Sequence, residues 1–158
     1  MSDVMRWRYG DTNPVVLPIA AATVAEIGDL LFLENGQVKP ATLITNHGSE
    51  AANQKWFHDH FAGVAMQKSR VGDDKPIRVA TTGVFDFDMP SATVEVGDLL
   101  GTLNNSGGTV LEKQKLKGVS TASLAIGRCA KRVPVADTRV LVDIVATVSH
   151  GGPQNPAT

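Results

Sequence analysis

The sequence predicts a mainly β protein, a small β-barrel or sandwich built from two related β units, with one short α-helix and an extended N-terminal arm. The first observation is a repeated pattern, Glu-x-Gly-Asp-Leu-Leu, at residues 26–31 and again at 95–100. The second is the order of segments after each copy: strand, turn, return strand, short glycine-containing strand, polar loop and long strand. One such unit cannot bury its apolar face alone, so we expect the two to pack together.

Composition limits the possible functions. A chain of 158 residues with 42% hydrophobic and 20% charged residues favours one domain with a sizeable core. The net charge of −1 gives no basic field that attracts nucleic acid, and a single cysteine, Cys129, excludes an internal disulfide framework. The longest apolar run, near residues 15–25, is broken by Pro18 and is too short to cross a membrane. With no visible signal peptide, we expect a soluble protein made in the cytoplasm.

Residues 1–14 form the predicted extended arm. Trp7 and Tyr9 alternate with Arg6 and Arg8, which predicts a strand with one aromatic and one cationic face. Tryptophan, tyrosine and arginine are enriched at interface anchors, so the arm is a candidate partner-binding segment. The alternative, an edge strand packed on its own domain, remains open.

The single β domain is predicted over residues 15–148, with its first repeat at about 24–88. Pro18 limits the strand at 15–20 to an edge or a strand end. Strands at 30–33 and 38–41 flank an Asn35-Gly36 hairpin turn. Residues 49–60 lack strand alternation and are predicted to form a helix capped by Ser49. Strands follow at 61–66 and 77–87.

The second repeat, at about 93–148, lacks the helical insert. Its predicted strands lie at 99–103, 110–116, 125–130 and 138–144, with a glycine-rich turn at 104–108. Residues 149–158 are predicted to be a flexible C-terminal tail.

The two Gly-Asp pairs of the repeat are predicted to be structural turn anchors. They are Gly28 with Asp29 and Gly97 with Asp98. An aspartate after glycine at a strand start commonly accepts hydrogen bonds from turn amides. This interpretation is favoured over a pair of catalytic carboxylates.

The remaining polar clusters favour no metal site, no cofactor and no catalytic centre. His47, His58 and His60 have a composition suited to metal, but i and i+2 positions diverge on a helix. The turn at 104–108 lacks the ending of a phosphate-binding loop. A basic patch, Arg128-Lys131-Arg132, could bind an acidic partner and is more often a solvated face.

Taken together, the ordered motifs resemble the tailed-phage capsid decoration, or cement, proteins. The motifs are Gly28-Asp29-Leu30-Leu31, Gly63-Val64-Ala65, residues 77–85, Gly97-Asp98-Leu99, residues 125–128 and Val140-Leu141-Val142. The resemblance implies a non-enzymatic virion protein that binds the major capsid protein on the outer capsid surface and stabilises the shell. It also implies a homo-oligomer, with a trimer favoured, and arms that reach across capsid subunits.

Two other functions stay open at this stage. In the first, Trp56, Phe57 and the histidines line an exposed groove for a carbohydrate or another host-surface ligand. In the second, His47, His58 and His60 form the centre of a small metal-dependent enzyme.

Overall fold

The computed structural model describes residues 3–154 and is mainly β, with two antiparallel sheets that form a sandwich. The predicted fold class is therefore confirmed, in the form of a sandwich and not of a closed barrel. The elements, in chain order, are β1 (Trp7–Tyr9), β2 (Val15–Leu17), β3 (Leu30–Glu34), β4 (Gln37–Pro40), α1 (Glu50–His60), β5 (Phe61–Ala65), β6 (Ile77–Ala80), β7 (Thr82–Val94), β8 (Leu99–Gly101), β9 (Lys117–Gly118), β10 (Gly127–Cys129), β11 (Val133–Val145) and α2 (Thr147–His150).

The two sheets repeat one strand order. The five-stranded sheet has the order β2-β6-β5-β3-β4, and the six-stranded sheet has the order β1-β7-β11-β10-β8-β9. The part β6-β5-β3-β4 of the first matches β11-β10-β8-β9 of the second, position by position along the chain. A duplicated β unit produces this correspondence.

Two glycines occupy equivalent places in the two sheets. A Cβ built on Gly63 would lie 2.0 Å from the carbonyl oxygen of Ala80 on the neighbouring strand. A Cβ built on Gly127 would lie 2.4 Å from the carbonyl oxygen of Asp143, again on the next strand. Only glycine permits this close approach of backbones.

The strand predicted at 77–87 is continuous in sequence but changes sheets at Thr81. β6 pairs with β5 in the five-stranded sheet, and β7 pairs with β11 in the six-stranded sheet. The Thr81 hydroxyl donates to the carbonyl oxygen of Asn13 at 2.7 Å, which ties this corner to the N-terminal segment. Gly83, with φ of 115°, follows the corner in a conformation that favours glycine.

The main core lies between the sheets, and alternate residues of β3 point to opposite sides. Leu30 and Phe32 enter the main core, whereas Leu31 and Leu33 belong to a second cluster on the other side of the five-stranded sheet. The main core also contains Phe57, Phe61, Phe85, Phe87, Leu100, Val142 and Ile144.

Helix α1 joins the two units. The Ser49 hydroxyl caps it by accepting from the N–H of Ala52 at 3.1 Å, as the sequence predicted. Gln54 then donates to the carbonyl oxygen of Thr102 at 2.7 Å, and Glu50 accepts from the N–H of Asn104 at 3.0 Å. Because Thr102 and Asn104 belong to the second repeat, the insert of the first repeat fixes the position of the second.

Two predicted segments differ in the structure. Residues 110–116 form isolated bridges instead of a strand, and the return strand of the second repeat is β9 alone. The described part of the C-terminal segment, 149–154, packs on the domain: Gly152 and Pro153 are buried, and His150 lies 2.9 Å from the Thr81 hydroxyl. Residues 155–158 of the predicted flexible tail lie outside the described residues.

Candidate functional site

The described part of the N-terminal arm lies on the domain, with β1 as the edge strand of the six-stranded sheet. Trp7 pairs with Phe85 and Tyr9 with Val84, and the register shifts between these two pairs. Within residues 3–154, no strand pairs with the other side of β1. An edge of this kind offers backbone N–H and C=O groups to another chain.

Arg6 is buried, with 2% of its surface exposed. Its Nε donates to Gln114 Oε1 at 2.9 Å, and its Nη1 donates to the Asp86 carbonyl oxygen at 3.1 Å. Nη2 lies 3.5 Å from Asp88 Oδ2, and the guanidinium lies over the Phe87 ring, 5.5 Å from its centroid. Burial lowers the pKa of Arg6, but a guanidinium stays protonated in proteins. Arg6 therefore anchors the arm to its own domain, and its guanidinium is buried while the arm is docked.

The other predicted partner-binding residues are at the surface. Trp7 is 39% exposed, Tyr9 is 52% exposed and the neighbouring Met5 is 47% exposed. Arg8 is also exposed, and the Trp7 indole N–H donates to the carbonyl oxygen of Gly10 at 3.0 Å. We call these four side chains, Met5, Trp7, Arg8 and Tyr9, the edge surface. Its aromatic and cationic groups are mixed, because the register shift interrupts the alternation.

Asp86 binds two arginine side chains beside the edge surface. Its Oδ2 accepts from Arg8 at 3.2 Å, and both its carboxylate oxygens accept from Arg139, at 3.0 and 2.8 Å. The hydrogen bond to Asp86 raises the pKa of Arg139. This bidentate geometry holds the two guanidinium groups in place on the outer face of the sheet.

A concave surface of about 560 Å³ continues from the edge surface. It is lined by Arg8, Asp86, Lys131, Arg132, Val135 and Arg139, among others. Val135 is 78% exposed, the largest exposed fraction among the large apolar side chains of the described residues. Arg139 and Val135 were not singled out from the sequence, because only the pairing of β7 with β11 brings them beside the arm.

The residues of the predicted basic patch lie in two different places. Lys131 and Arg132 line the concave surface, whereas Arg128 donates to the carbonyl oxygen of Gly97 at 2.7 Å. Arg128 also donates to the carbonyl oxygen of Gln154, so it ties the C-terminal segment to the second Gly-Asp turn.

The two Gly-Asp turns have matching geometry. We call residues 26–29 the first turn and residues 95–98 the second turn. Gly28 and Gly97 have φ of 94° and 91°. Asp29 and Asp98 each accept, through Oδ2, from the backbone N–H three residues earlier at 2.9 Å. Each carboxylate therefore closes its own turn.

The surroundings of the two aspartates differ. Asp29 is fully buried; it accepts from Gln114 at 2.8 Å and has Lys113 Nζ 3.4 Å away. Burial raises the pKa of Asp29, and this outweighs the hydrogen bonds and the nearby ammonium. Asp98 is exposed and lines a groove.

The histidines are separated by the helix. The imidazoles of His47 and His60 stack on the Trp56 indole, with ring centroids 5.4 and 3.9 Å apart. His58 points elsewhere and its Nδ1 lies 2.7 Å from the carbonyl oxygen of Ala125. Phe57 is buried in the core, so it lines no exposed groove. Within residues 3–154, no group of three or more His, Cys, Asp or Glu side chains is placed to hold a metal ion.

Comparisons with known proteins give no family. No protein-family model matches the chain, and no curated protein gives a significant match. In the described part of the chain, neither helix has the length and apolar composition needed to cross a membrane.

Proposed function

We propose that this protein is a non-enzymatic structural component of a phage or prophage virion, which binds the outer surface of the capsid and stabilises the shell. Its partner is the major capsid protein, and it acts as a homo-oligomer, most simply a trimer. The contact to the capsid is made by the edge surface and the adjoining concave surface.

The observation that carries this proposal is the open edge of β1 with exposed aromatic side chains. Trp7 and Tyr9 are each more than a third exposed and lie beside Met5, on a strand that no other strand covers within the described residues. Strand addition to such an edge uses backbone hydrogen bonds for affinity and side chains for specificity. Large aromatic side chains are also the residues that most often dominate interface energies.

The charges of the concave surface favour an acidic partner. Its lining contains four cationic side chains, Arg8, Lys131, Arg132 and Arg139, and two carboxylates, Asp86 and Asp137. Asp86 is already bound to Arg8 and Arg139, which leaves Lys131 at the surface without an ion pair among the described residues. A carboxylate-bearing loop placed here would gain charge-assisted hydrogen bonds.

Weak contacts are sufficient for this function. On a repeating shell, a trimer binds through three copies of one contact, and the apparent affinity rises through the effective concentration of the second and third. A net charge of −1 also limits repulsion among closely spaced copies.

The test is co-sedimentation of the purified protein with expanded capsids. We expect the double substitution Trp7→Ser and Tyr9→Ser to weaken capsid binding by about tenfold or more, since each removes an exposed anchor and no core contact. Deletion of residues 1–12 is a poor test, because it also removes the buried Arg6.

Val16→Ser is the matched control. Val16 is 61% exposed on β2, the edge strand of the other sheet, and its loss should leave capsid binding unchanged. Full binding by the Trp7/Tyr9 variant would exclude the edge surface as the contact. Light scattering on the free protein then measures the oligomeric state, and a monomer both free and on the capsid would contradict the trimer.

A further inference from the structure

The first and second turns have the same backbone, but among residues 3–154 only the first is covered by another segment of the chain. The N–H of Val4 donates to the carbonyl oxygen of Ile27 at 2.9 Å, and the N–H of Ile27 donates to Asp3 Oδ1 at 2.9 Å. A Cβ on Gly28 would lie 2.4 Å from the carbonyl oxygen of Val4. Residues 3–6 thus run along the first turn in direct contact with it.

The segment that covers the first turn, residues 3–6, has an acidic and a basic end. Its acidic end, Asp3, lies 3.5 Å from Lys68 Nζ. Its basic end, Arg6, donates to Gln114, and Gln114 in turn donates to Asp29. The carboxylate of Asp3 therefore contacts both the Lys68 ammonium and the backbone N–H of Ile27. Three residues later, the Arg6 guanidinium binds Gln114, which binds the turn aspartate, Asp29.

The second turn has Val96, Gly97 and Asp98 at the positions of Ile27, Gly28 and Asp29, and no segment within residues 3–154 covers it. Val96, the equivalent of Ile27, is 66% exposed, and none of the hydrogen bonds of the described residues involves its backbone. A Cβ on Gly97 would meet no atom within 4 Å. Arg132 lies three residues after β10, as Lys68 lies three residues after β5; its side chain is 62% exposed and forms a solvent-exposed ion pair with Glu95 at 3.0 Å.

A groove of about 520 Å³ continues from this turn at Asp98. Its walls are mostly apolar and include Met89, Pro90, Val94 and Val119, with Lys117 at the rim. The Oδ2 atom of Asp98 closes the turn, and its Oδ1 has no hydrogen-bond partner among residues 3–154. In the first repeat, the corresponding oxygen of Asp29 accepts from Gln114.

We propose that the second turn and this groove bind an extended segment of another protein, in which an acidic residue stands three positions before a basic one. The acidic side chain binds the N–H of Val96 and the guanidinium of Arg132. The residues between lie along Gly97, and the basic side chain reaches Asp98. The chain's own Asp3-Val4-Met5-Arg6 is the template for this occupant, and the proposal does not depend on the capsid function.

The test uses a labelled peptide copying residues 2–9, acetylated and amidated, added to the full-length protein. The chain's own arm holds the first turn at a high effective concentration, so a free peptide should find only the second turn. We expect a dissociation constant of roughly 10–500 µM by fluorescence anisotropy. Amide shifts in NMR spectra should concentrate at residues 96–99.

Charge reversal supplies the specific control. Arg132→Glu should weaken binding at least about fivefold, and a peptide with lysine in place of its aspartate should restore it. Lys75→Glu makes the same charge change on an exposed loop of the first repeat and should leave the affinity unchanged. Restoration by the exchanged peptide separates a direct contact from a folding defect.

Four results would overturn the proposal. They are no binding at millimolar peptide, full affinity of the Arg132→Glu variant, amide shifts at residues 26–30 instead of 96–99, and binding only after residues 155–158 are removed. The last would identify the end of this chain as the occupant, because Gln154 is already tied to the second turn through Arg128.

Discussion

The first and second turns share a positive φ at glycine, an aspartate that closes the turn and a glycine-containing strand, β5 or β10, whose amide donates to the aspartate carbonyl oxygen. They differ in the N-terminal segment and Gln114, which contact the first turn and have no counterpart at the second within residues 3–154. Asp29 is buried under Gln114 and the N-terminal segment, whereas Asp98 faces a groove. The duplicated sequence preserved the backbone of the unit, whereas the N-terminal segment and Gln114 bury the first copy and, among residues 3–154, leave the second exposed.

The largest effect should come from the close backbone approach that both repeats share. Gly63→Ala and Gly127→Ala each place a Cβ against a carbonyl oxygen of the next strand, at 2.0 and 2.4 Å. We expect each to lower the free energy of unfolding by about 3 kcal/mol or more, measured by urea denaturation. Gly63→Ala should cost more, because Gly63 also has φ of 138°. Gly36→Ala, at a positive φ with open space, is the control; equal losses at all three glycines would contradict the close backbone approach as their cause.

The next effect is a difference in the stability lost when Arg6, beside the covered first turn, or Arg132, beside the second turn, is replaced. Arg6→Met removes a buried cation and leaves Gln114 and Asp88 without it, so we expect a loss of about 2–4 kcal/mol. Arg132→Met breaks an ion pair with Glu95 whose side chains are both more than 60% exposed, and should change stability by less than about 0.5 kcal/mol. Similar values for the two variants would show that the arm is not held as the structure describes.

A smaller difference should appear at the turn glycines. Both Gly28→Ala and Gly97→Ala strain a positive φ, at about 1 kcal/mol each. Gly28→Ala also collides with the carbonyl oxygen of Val4 and should lose about 1–2 kcal/mol more. Limited proteolysis should then cut the N-terminal segment faster in Gly28→Ala than in Gly97→Ala. Equal cutting rates would mean that the arm does not cover the first turn.

The smallest effect is a pH dependence at the covered aspartate. Burial raises the folded-state pKa of Asp29 above its ordinary value of 3.8, so the native protein holds this proton more tightly than the unfolded chain. The resulting decrease in the free energy of unfolding is absent below pH 3.8, grows as the pH rises towards the raised pKa and is complete above that pKa. The stability of the wild type relative to Asp29→Asn should therefore fall as the pH rises from 3.8.

Urea denaturation between about pH 3.5 and 7 measures this difference. Asp98→Asn makes the same isosteric change in the open turn and corrects for its effect on turn closure. A stability difference for Asp29→Asn that is constant with pH, or that rises with it, would contradict the assigned cause.

Much of the fold was predictable because its signals are local. The helix predicted at 49–60 is Glu50–His60, with the predicted cap at Ser49. The strand at 61–66 and the edge position of β2 also match. The segment 110–116 failed because its alternating residues make single bridges to distant partners, Asn104 and Asp88, which no local pattern specifies.

The candidate site was predictable only in part. Trp7, Arg8 and Tyr9 are exposed on an edge strand, but Arg6 enters the core. Arginine is rarely buried without partners, and its partners here stand 80 and 108 residues away in sequence. The groove beside Asp98 has no sequence signature, because its lining comes mostly from β7 and β9, which are distant in the sequence.

Local sequence signals account for the duplicated unit, its two Gly-Asp turns and helix α1, because periodicity, capping and positive φ depend on neighbouring residues. The tertiary structure decided which turn is covered, where the strand at Thr81 changes sheets and which arm residues face solvent. Those outcomes depend on contacts between distant segments. Two turns of nearly the same sequence therefore differ in their surroundings: the N-terminal segment covers the first, and no segment within residues 3–154 covers the second.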